Sequence, residues 1–361
     1  MSQPINLFEY EKLAYNLIDK PYLDYFTSGA DDEITLGLNR SRYGEILLRP
    51  RMLVDVSNRD MEVEIFGDKL SMPIIAAPTA FQCLAHPQGE LAVARAMGEL
   101  GTAMTLSTLA THSIEEVKEA SSHHLWFQLY VYKDKEITRD LVRRAKAANY
   151  KALVLTVDSP LLGRRERDIR NEFHLPDHLK VRNLEKHMHA DIGKVAIKSG
   201  LAAYIASLYD TSLTWSDLDW IASLSDLPIL VKGILRADDA RRAKRHGASG
   251  IIVSNHGGRQ LDTALPTIEA LSEVVHAVPD LPVLIDGGIR RGTDVLKALA
   301  LGAKAVLVGR PLLWGLAVGG SAGVKQVFSM LADELSLAMA LSGVPSIQDI
   351  TEDLVKMPHH W

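Results

Sequence analysis

His256 and Arg259 lie three residues apart in Ser254-Asn255-His256-Gly257-Gly258-Arg259-Gln260-Leu261-Asp262, a glycine-rich run in which the backbone can approach a ligand closely. An imidazole of near-neutral pKa can take the proton of a hydroxyl group, and a guanidinium a few ångströms away can grip a carboxylate with two parallel hydrogen bonds. Asp158, in Thr156-Val157-Asp158-Ser159-Pro160, is placed to stabilise the resulting imidazolium.

Two further segments suit an anion. Asp286-Gly287-Gly288-Ile289-Arg290 and Gly309-Arg310 offer backbone N–H groups that no side chain obstructs, together with guanidinium charge, which is a phosphate-binding combination. Lys232 ends the apolar run of Leu230-Val231-Lys232-Gly233, where a buried ammonium needs an anionic or electron-rich neighbour. A flavin ring, at its N1–C2=O edge, is one such neighbour; an ion pair with Asp158 is the alternative. Tyr130 and Tyr25 are weaker candidates, because a tyrosine is more often an amphipathic core filler.

These residues need a frame. From Met72 onward, eight short Val/Ile/Leu-rich runs alternate with stretches of helical period: Ile74–Ala77, Thr102–Leu106, Leu125–Leu129, Ala152–Val157, Ile229–Val231, Gly250–Val253, Val283–Ile285 and Ala305–Val308. Each is nearly continuous in apolar residues, as for strands covered on both faces. The pattern predicts an α/β fold, a (β/α)8 TIM barrel, over 72–361. Residues 1–71 form an N-terminal helical cap with Asn6 as its first N-cap, and about 161–201 is a mobile excursion after strand 4. The whole of 1–361 reads as one domain. Helices are expected over Gly89–Leu100, Ile137–Ala148, Ala237–His246, Ile268–Val278 and Thr293–Leu301, three of them followed by Gly101, Gly247 and Gly302. In such a barrel the site sits at the C-terminal ends of the strands. There the runs deliver Pro78, Thr79 and Ala80, then Ser107, Gln128 with Tyr130, Thr156 with Asp158, Lys232, Ser254 with His256, Asp286, and Gly309 with Arg310.

Composition narrows the partners. A net charge of −5 and an apolar fraction of 47% describe a globular chain with no basic surface for nucleic acid. No apolar run reaches the length of a membrane span, no secretory leader is visible, and the C-terminal tripeptide is not a peroxisomal signal. A single cysteine, Cys83, cannot form an internal disulfide or an all-cysteine metal site, and it reads as a small buried filler in a reducing, cytoplasmic setting. The other twelve histidines, including His123-His124, His187, His189 and His359-His360, show no ligand set at useful spacing, so no metal is expected.

The residues on this frame resemble those of the FMN-dependent 2-hydroxy acid oxidases, glycolate oxidase and L-lactate oxidase, over essentially the whole chain. The resemblance rests on Tyr-Phe-Thr-Ser-Gly-Ala from Tyr25, Ala-Pro-Thr-Ala at 77–80, Gln-Leu-Tyr-Val-Tyr at 128–132, Leu-Thr-Val-Asp-Ser-Pro at 155–160, Gly-Arg-Arg-Glu at 163–166, the His256 segment, and Asp-Gly-Gly-Ile-Arg-Arg-Gly at 286–292. It implies an FMN held by Pro78, Thr79, Ala80, Ser107, Gln128, Tyr130, Thr156, Lys232, Ser254, Asp286, Gly287, Gly288, Ile289, Arg290, Gly309 and Arg310. Substrate contacts are implied for Tyr25, Tyr130, Arg165, His256 and Arg259, with His256 as base and Asp158 as its partner. The resemblance also implies that reduced flavin passes two electrons to O2, giving the 2-oxo acid and hydrogen peroxide, in a homotetramer. Between hydride transfer from the substrate Cα to flavin N5 and a carbanion route, which the sequence leaves open, hydride transfer is favoured because it avoids a carbanion next to a carboxylate.

Two positions depart from the plant glycolate oxidases: Leu109 stands where they carry Trp, and Tyr209 where they tend to have a small aliphatic residue, whereas Thr79 fits their pattern. Leu109 leaves room for a substrate methyl, so the preference between L-lactate and glycolate stays open. The segment around 175–200 is too short and polar to resemble the membrane-anchoring insertion of mandelate dehydrogenases. Three other readings also remain: a dehydrogenase of the same family with a quinone or cytochrome acceptor, a non-redox FMN-dependent isomerase, and a flavoprotein that only binds.

Overall fold

The computed structural model describes residues 4–121, 123–187 and 207–358. Eight parallel strands close into a barrel: β1 (Ile74–Ala76), β2 (Met104–Leu106), β3 (Leu125–Leu129), β4 (Ala152–Thr156), β5 (Ile229–Ile234), β6 (Gly250–Val253), β7 (Val283–Asp286) and β8 (Ala305–Val308), with β8 pairing back to β1. This is the (β/α)8 fold expected from the eight apolar runs. The largest departure is β5, which continues through Lys232 to Ile234 across a register shift, so the lysine is a strand residue.

Strand side chains alternate between two apolar environments. Ile75, Trp126, Val154, Leu230, Ile252, Leu284 and Leu307 belong to one cluster inside the barrel, and their neighbours Ile74, Phe127, Leu153, Val231, Ile251, Ile285 and Val306 to another beneath the helices. Neither face meets water, which accounts for the continuous apolar runs. A hairpin, Val63–Ile65 against Asp68–Leu70, contributes Val63, Ile65 and Leu70 to the inner cluster and so caps that interior.

The inner face changes character two residues further along five of the strands. Trp126 is followed on it by Gln128, Val154 by Thr156, Leu230 by Lys232, Ile252 by Ser254 and Leu284 by Asp286, all of them buried. The dry interior thus ends in a polar layer at the C-terminal rim.

Helices α1 (Leu7–Tyr15), α2 (Lys20–Thr27) and α3 (Ile34–Glu45) precede the barrel. Asn6 caps α1 through the Glu9 amide, as expected. The start of α3 is capped from a distance, because Asp262 accepts the amides of Ile34 and Thr35 and thereby ties the His256 loop to this helix. Around the barrel run α4 (Gly89–Glu99), α5 (Ile114–Ala120) and α6 (Lys135–Ala147). Gly101, Gly247 and Gly302 all take positive φ just past helix ends. After β4 the described part of the excursion carries a short helix, Glu166–Arg170, and a 3-10 turn, Arg182–His187. Residues 188–201 of the expected mobile segment, with His189, His359 and His360, lie outside the described residues. Among the described residues no helix is long and apolar enough to cross a membrane.

Candidate active site

The loops at the C-terminal rim line an open cleft. Its walls include Pro78, Thr79, Ala80, Ser107, Gln128, Tyr130, Thr156, Lys232, Asp286, Gly287, Gly288, Ile289, Arg290, Gly309 and Arg310, and also Tyr25, Leu109, Arg165, His256 and Arg259. Two expected residues lie one layer back. Ser254 is fully buried and accepts hydrogen bonds from Lys232 Nζ at 2.9 Å and the His256 amide at 3.1 Å, so it positions both without lining the cleft. Asp158 stands behind His256.

The floor is a polar row on the strand ends. Gln128 Nε2 donates to Thr156 Oγ1 at 3.1 Å, and its Oε1 accepts the Thr108 amide at 3.1 Å. Lys232 Nζ lies 3.3 Å from Asp286 Oδ2, which makes Asp286, rather than Asp158, its ion-pair partner. Burial works against the ammonium, but the Asp286 and Asp158 charges prevail and raise its pKa. Asp286 Oδ1 is buried with no partner, although a buried carboxylate oxygen ordinarily has one.

Arg259, Arg290 and Arg310 are half-buried, with no carboxylate within ion-pair distance among the described residues. Arg310 donates only to the carbonyls of Phe26, Gly257 and Ser28, at 3.1, 3.0 and 3.1 Å. Arg259 donates to the Tyr25 and Ser28 carbonyls at 2.5 and 3.0 Å, and Arg290 lies over the Trp314 ring at 4.7 Å. Burial, followed by Arg259 and Arg290, pulls the Arg310 pKa down to about 9; burial with Arg165 pulls Arg259 to about 10, and burial pulls Arg290 to about 10. So much desolvated positive charge calls for anionic ligands. Gly288, at φ +77°, has no room for a Cβ, which would lie 1.8 Å from the Asn39 carbonyl oxygen, so only glycine fits this approach.

His256 Nδ1 is 2.8 Å from Asp158 Oδ1, which Ser159 Oγ also engages at 2.9 Å. Burial raises the Asp158 pKa, yet the charges of His256 and Lys232 outweigh it and hold this carboxyl at about 2. His256 is lowered, first by burial and then by Lys232 and Arg165, against the pull of Asp158. The ring is therefore neutral near pH 7, with Nε2 left for the cleft. Its backbone φ of +58° is unusual for a residue other than glycine and aims the ring from the loop.

Aromatic residues close the outer side. Tyr25, on α2, stacks on Phe173 of the excursion with centroids 4.2 Å apart, while Arg259 lies 5.0 Å from the Tyr25 centroid. Tyr130 stacks on Tyr209 at 4.4 Å. Burial raises the pKa of both Tyr25 and Tyr130, so their phenols stay protonated as hydrogen-bond donors. Gln260 joins the two loops: its Oε1 accepts from the Gly163 amide and Arg165 Nη2, and its Nε2 donates to the carbonyls of Asp158 and Leu161. The sequence did not single out Gln260, Phe173 or Leu162 and Leu313 of the cleft wall: Gln260 lies inside the His256 segment and Leu162 beside Gly163, but their own side chains offer no acid, base or charge to mark them.

A parallel barrel with a phosphate cradle after its seventh and eighth strands, and a buried Lys–Asp pair with a free carboxylate oxygen on its floor, has the donors a phosphorylated planar cofactor requires. The FMN-dependent dehydrogenase family matches residues 14–357, and the chain belongs to it. Its cofactor is FMN, and it is an oxidoreductase. Among curated relatives, L-lactate oxidase of Nostoc sp. is 56% identical, with 97% of either chain covered. Glycolate oxidase 3 of Oryza sativa subsp. indica is 54% identical over 97% of this chain and 95% of its own. A solved mandelate oxidase variant with (S)-mandelic acid aligns with a TM-score of 0.90 at 41% identity, covering 99% of both chains.

Proposed function

We propose that this enzyme oxidises small L-2-hydroxy acids, L-lactate and glycolate, to the 2-oxo acids, with O2 as electron acceptor and hydrogen peroxide as second product. The observation that carries this reading is the His256–Asp158 pair opening onto the same cleft as Arg259 and Arg165. Arg259 and Arg165 hold the substrate carboxylate, which supplies the anion that Arg259 lacks among the described residues; Arg165 also lies 4.0 Å from Asp168. Tyr25 and Tyr130 donate hydrogen bonds to the substrate oxygens and fix the hydroxyl beside His256. Nε2 of His256 takes the hydroxyl proton as the Cα–H bond breaks, and Asp158 stabilises the imidazolium. Lys232, Asp286, Gln128 and the Gly287–Arg290 and Gly309–Arg310 segments hold FMN. When bound, it would supply the two-electron redox chemistry that links the substrate Cα–H to O2.

The Nostoc and rice relatives named for L-lactate and glycolate support this substrate class and an oxidase. A homotetramer is in keeping with exposed Met52, Leu53, Leu337 and Leu341, apolar side chains suited to a subunit contact. A cytoplasmic location fits the single cysteine.

Purified enzyme in air is expected to form peroxide stoichiometrically with 2-oxo acid from L-lactate or glycolate. Flavin bleaching by these acids without peroxide would assign a quinone- or cytochrome-linked dehydrogenase instead.

A further inference from the structure

Cys83, Glu90 and His112 come together beside the cleft and outside it. Cys83 lies on the 3-10 turn Gln82–Leu84 that follows β1, Glu90 in the first turn of α4, and His112 on the segment between β2 and α5. The Glu90 carboxylate is fully buried and firmly held, Oε1 by the amides of Gln82 and Thr111 at 3.2 and 2.9 Å and Oε2 by the Thr111 hydroxyl at 2.7 Å. His112 Nδ1 is 2.9 Å from Glu90 Oε2 and 3.8 Å from Cys83 Sγ, and one ligating atom from each residue falls within 4.8 Å of the others. Contrary to the buried filler expected of it, Cys83 is partly exposed, as is His112, so the cluster opens to solvent.

A single Nδ1 proton can point at the carboxylate or at the sulfur, not at both, and the Cys83 thiol donates to the Pro87 carbonyl at 3.3 Å; a cation at the centre, with that thiol proton released, engages all three atoms. Zinc bonds of about 2.0–2.3 Å at tetrahedral angles separate ligand atoms by roughly 3.3–3.8 Å; the 3.8 Å from His112 to Cys83 matches, and the 2.9 Å from His112 to Glu90 opens by a few tenths of an ångström on binding. The surroundings are also those of a held ligand set, since Thr111 Oγ1 accepts the Cys83 amide at 3.2 Å while donating to Glu90. We propose that Cys83, Glu90 and His112 bind a thiophilic divalent cation of the zinc class, with water in the fourth position. The site joins the loops after β1 and β2, and Gln82, next to Cys83, donates to Thr79 Oγ1 of the cleft wall at 2.9 Å. A hard cation such as Mg2+ does not fit, because it takes oxygen ligands and rejects thiolate.

The test uses chelator-treated holoenzyme equilibrated with zinc chloride or magnesium chloride. Because Cys83 is the only cysteine, a thiol reagent reads it alone. The expected result is one zinc per chain in wild type, with affinity at least ~10-fold weaker in Cys83→Ser and His112→Asn, both of which keep FMN. Zinc, and not magnesium, should shield the wild-type thiol from the reagent. Equal zinc binding by wild type and both variants, or a thiol that reacts as fast with zinc as without, would overturn the site.

Discussion

The 2.8 Å contact between His256 Nδ1 and Asp158 Oδ1 fixes the orientation of the base and settles which of its ring nitrogens faces the cleft. It also depends on Gly233, where a Cβ would come within 2.7 Å of the Asp158 Cβ. Asp158 opposes the other influences on the ring by raising the His256 pKa. In Asp158→Asn that support is gone, so the pKa falls further and the acid limb of the kcat/KM profile moves to lower pH. The maximum rate should fall as well, since the imidazolium loses its counter-charge. A pH series separates these effects, and an acid limb that stays in place or moves upward would contradict the pairing.

Lys232→Met removes the ammonium beside Asp286 and strands that carboxylate in the floor of the cleft. The variant is expected to bind FMN more weakly and to be reduced more slowly, as read by equilibrium dialysis and by flavin bleaching. Full occupancy and rate would remove Lys232 from the cofactor site.

Arg290 and Arg310, half-buried beside one another's charge and with no carboxylate partner among the described residues, imply that the apoprotein is the less stable form. FMN at 100 times its Kd should stabilise the fold by about 2.7 kcal/mol, measured as an upward shift in Tm. Arg290→Met should reduce that gain at fixed FMN. An apoprotein that melts with the holoenzyme would show that these guanidinium groups are satisfied without phosphate.

Leu109 lines the cleft, with a side chain smaller than the Trp of the plant glycolate oxidases. Burial of one methyl contributes about 0.8 kcal/mol, and pockets discriminate one methylene by roughly 1–3 kcal/mol. L-Lactate should therefore be used at least as well as glycolate, and Leu109→Trp should shift kcat/KM towards glycolate, mainly by impairing lactate. An unchanged ratio would transfer selectivity to Tyr209, which stacks on Tyr130 in the same wall.

Much of this architecture is legible in the chain because its signals are local. Strands buried on both faces leave continuous apolar runs, and the polar residue ending each run marks the rim, which is how Gln128, Thr156 and Asp286 are found. Partnerships across the barrel are not local. Lys232 pairs with Asp286, two strands away, although Asp158 follows the strand directly beside its own. Ser254 has the type and position of a cofactor ligand, yet it points behind the lysine. Gln260 fastens the excursion to the base loop through four hydrogen bonds that no spacing announces. Cys83, Glu90 and His112 sit on three separate elements, and only the packing of α4 against the first two strand ends brings them together.

The central claim is that His256 is the base in oxidation of a 2-hydroxy acid, and anaerobic stopped-flow reduction of the bound flavin tests it most directly. Wild type mixed with L-lactate or glycolate should bleach in a single turnover. His256→Gln, with its FMN retained, should bleach about 10²- to 10⁴-fold more slowly. A variant that bleaches at nearly the wild-type rate would place the base elsewhere, and a wild type that neither acid bleaches would contradict the reaction itself.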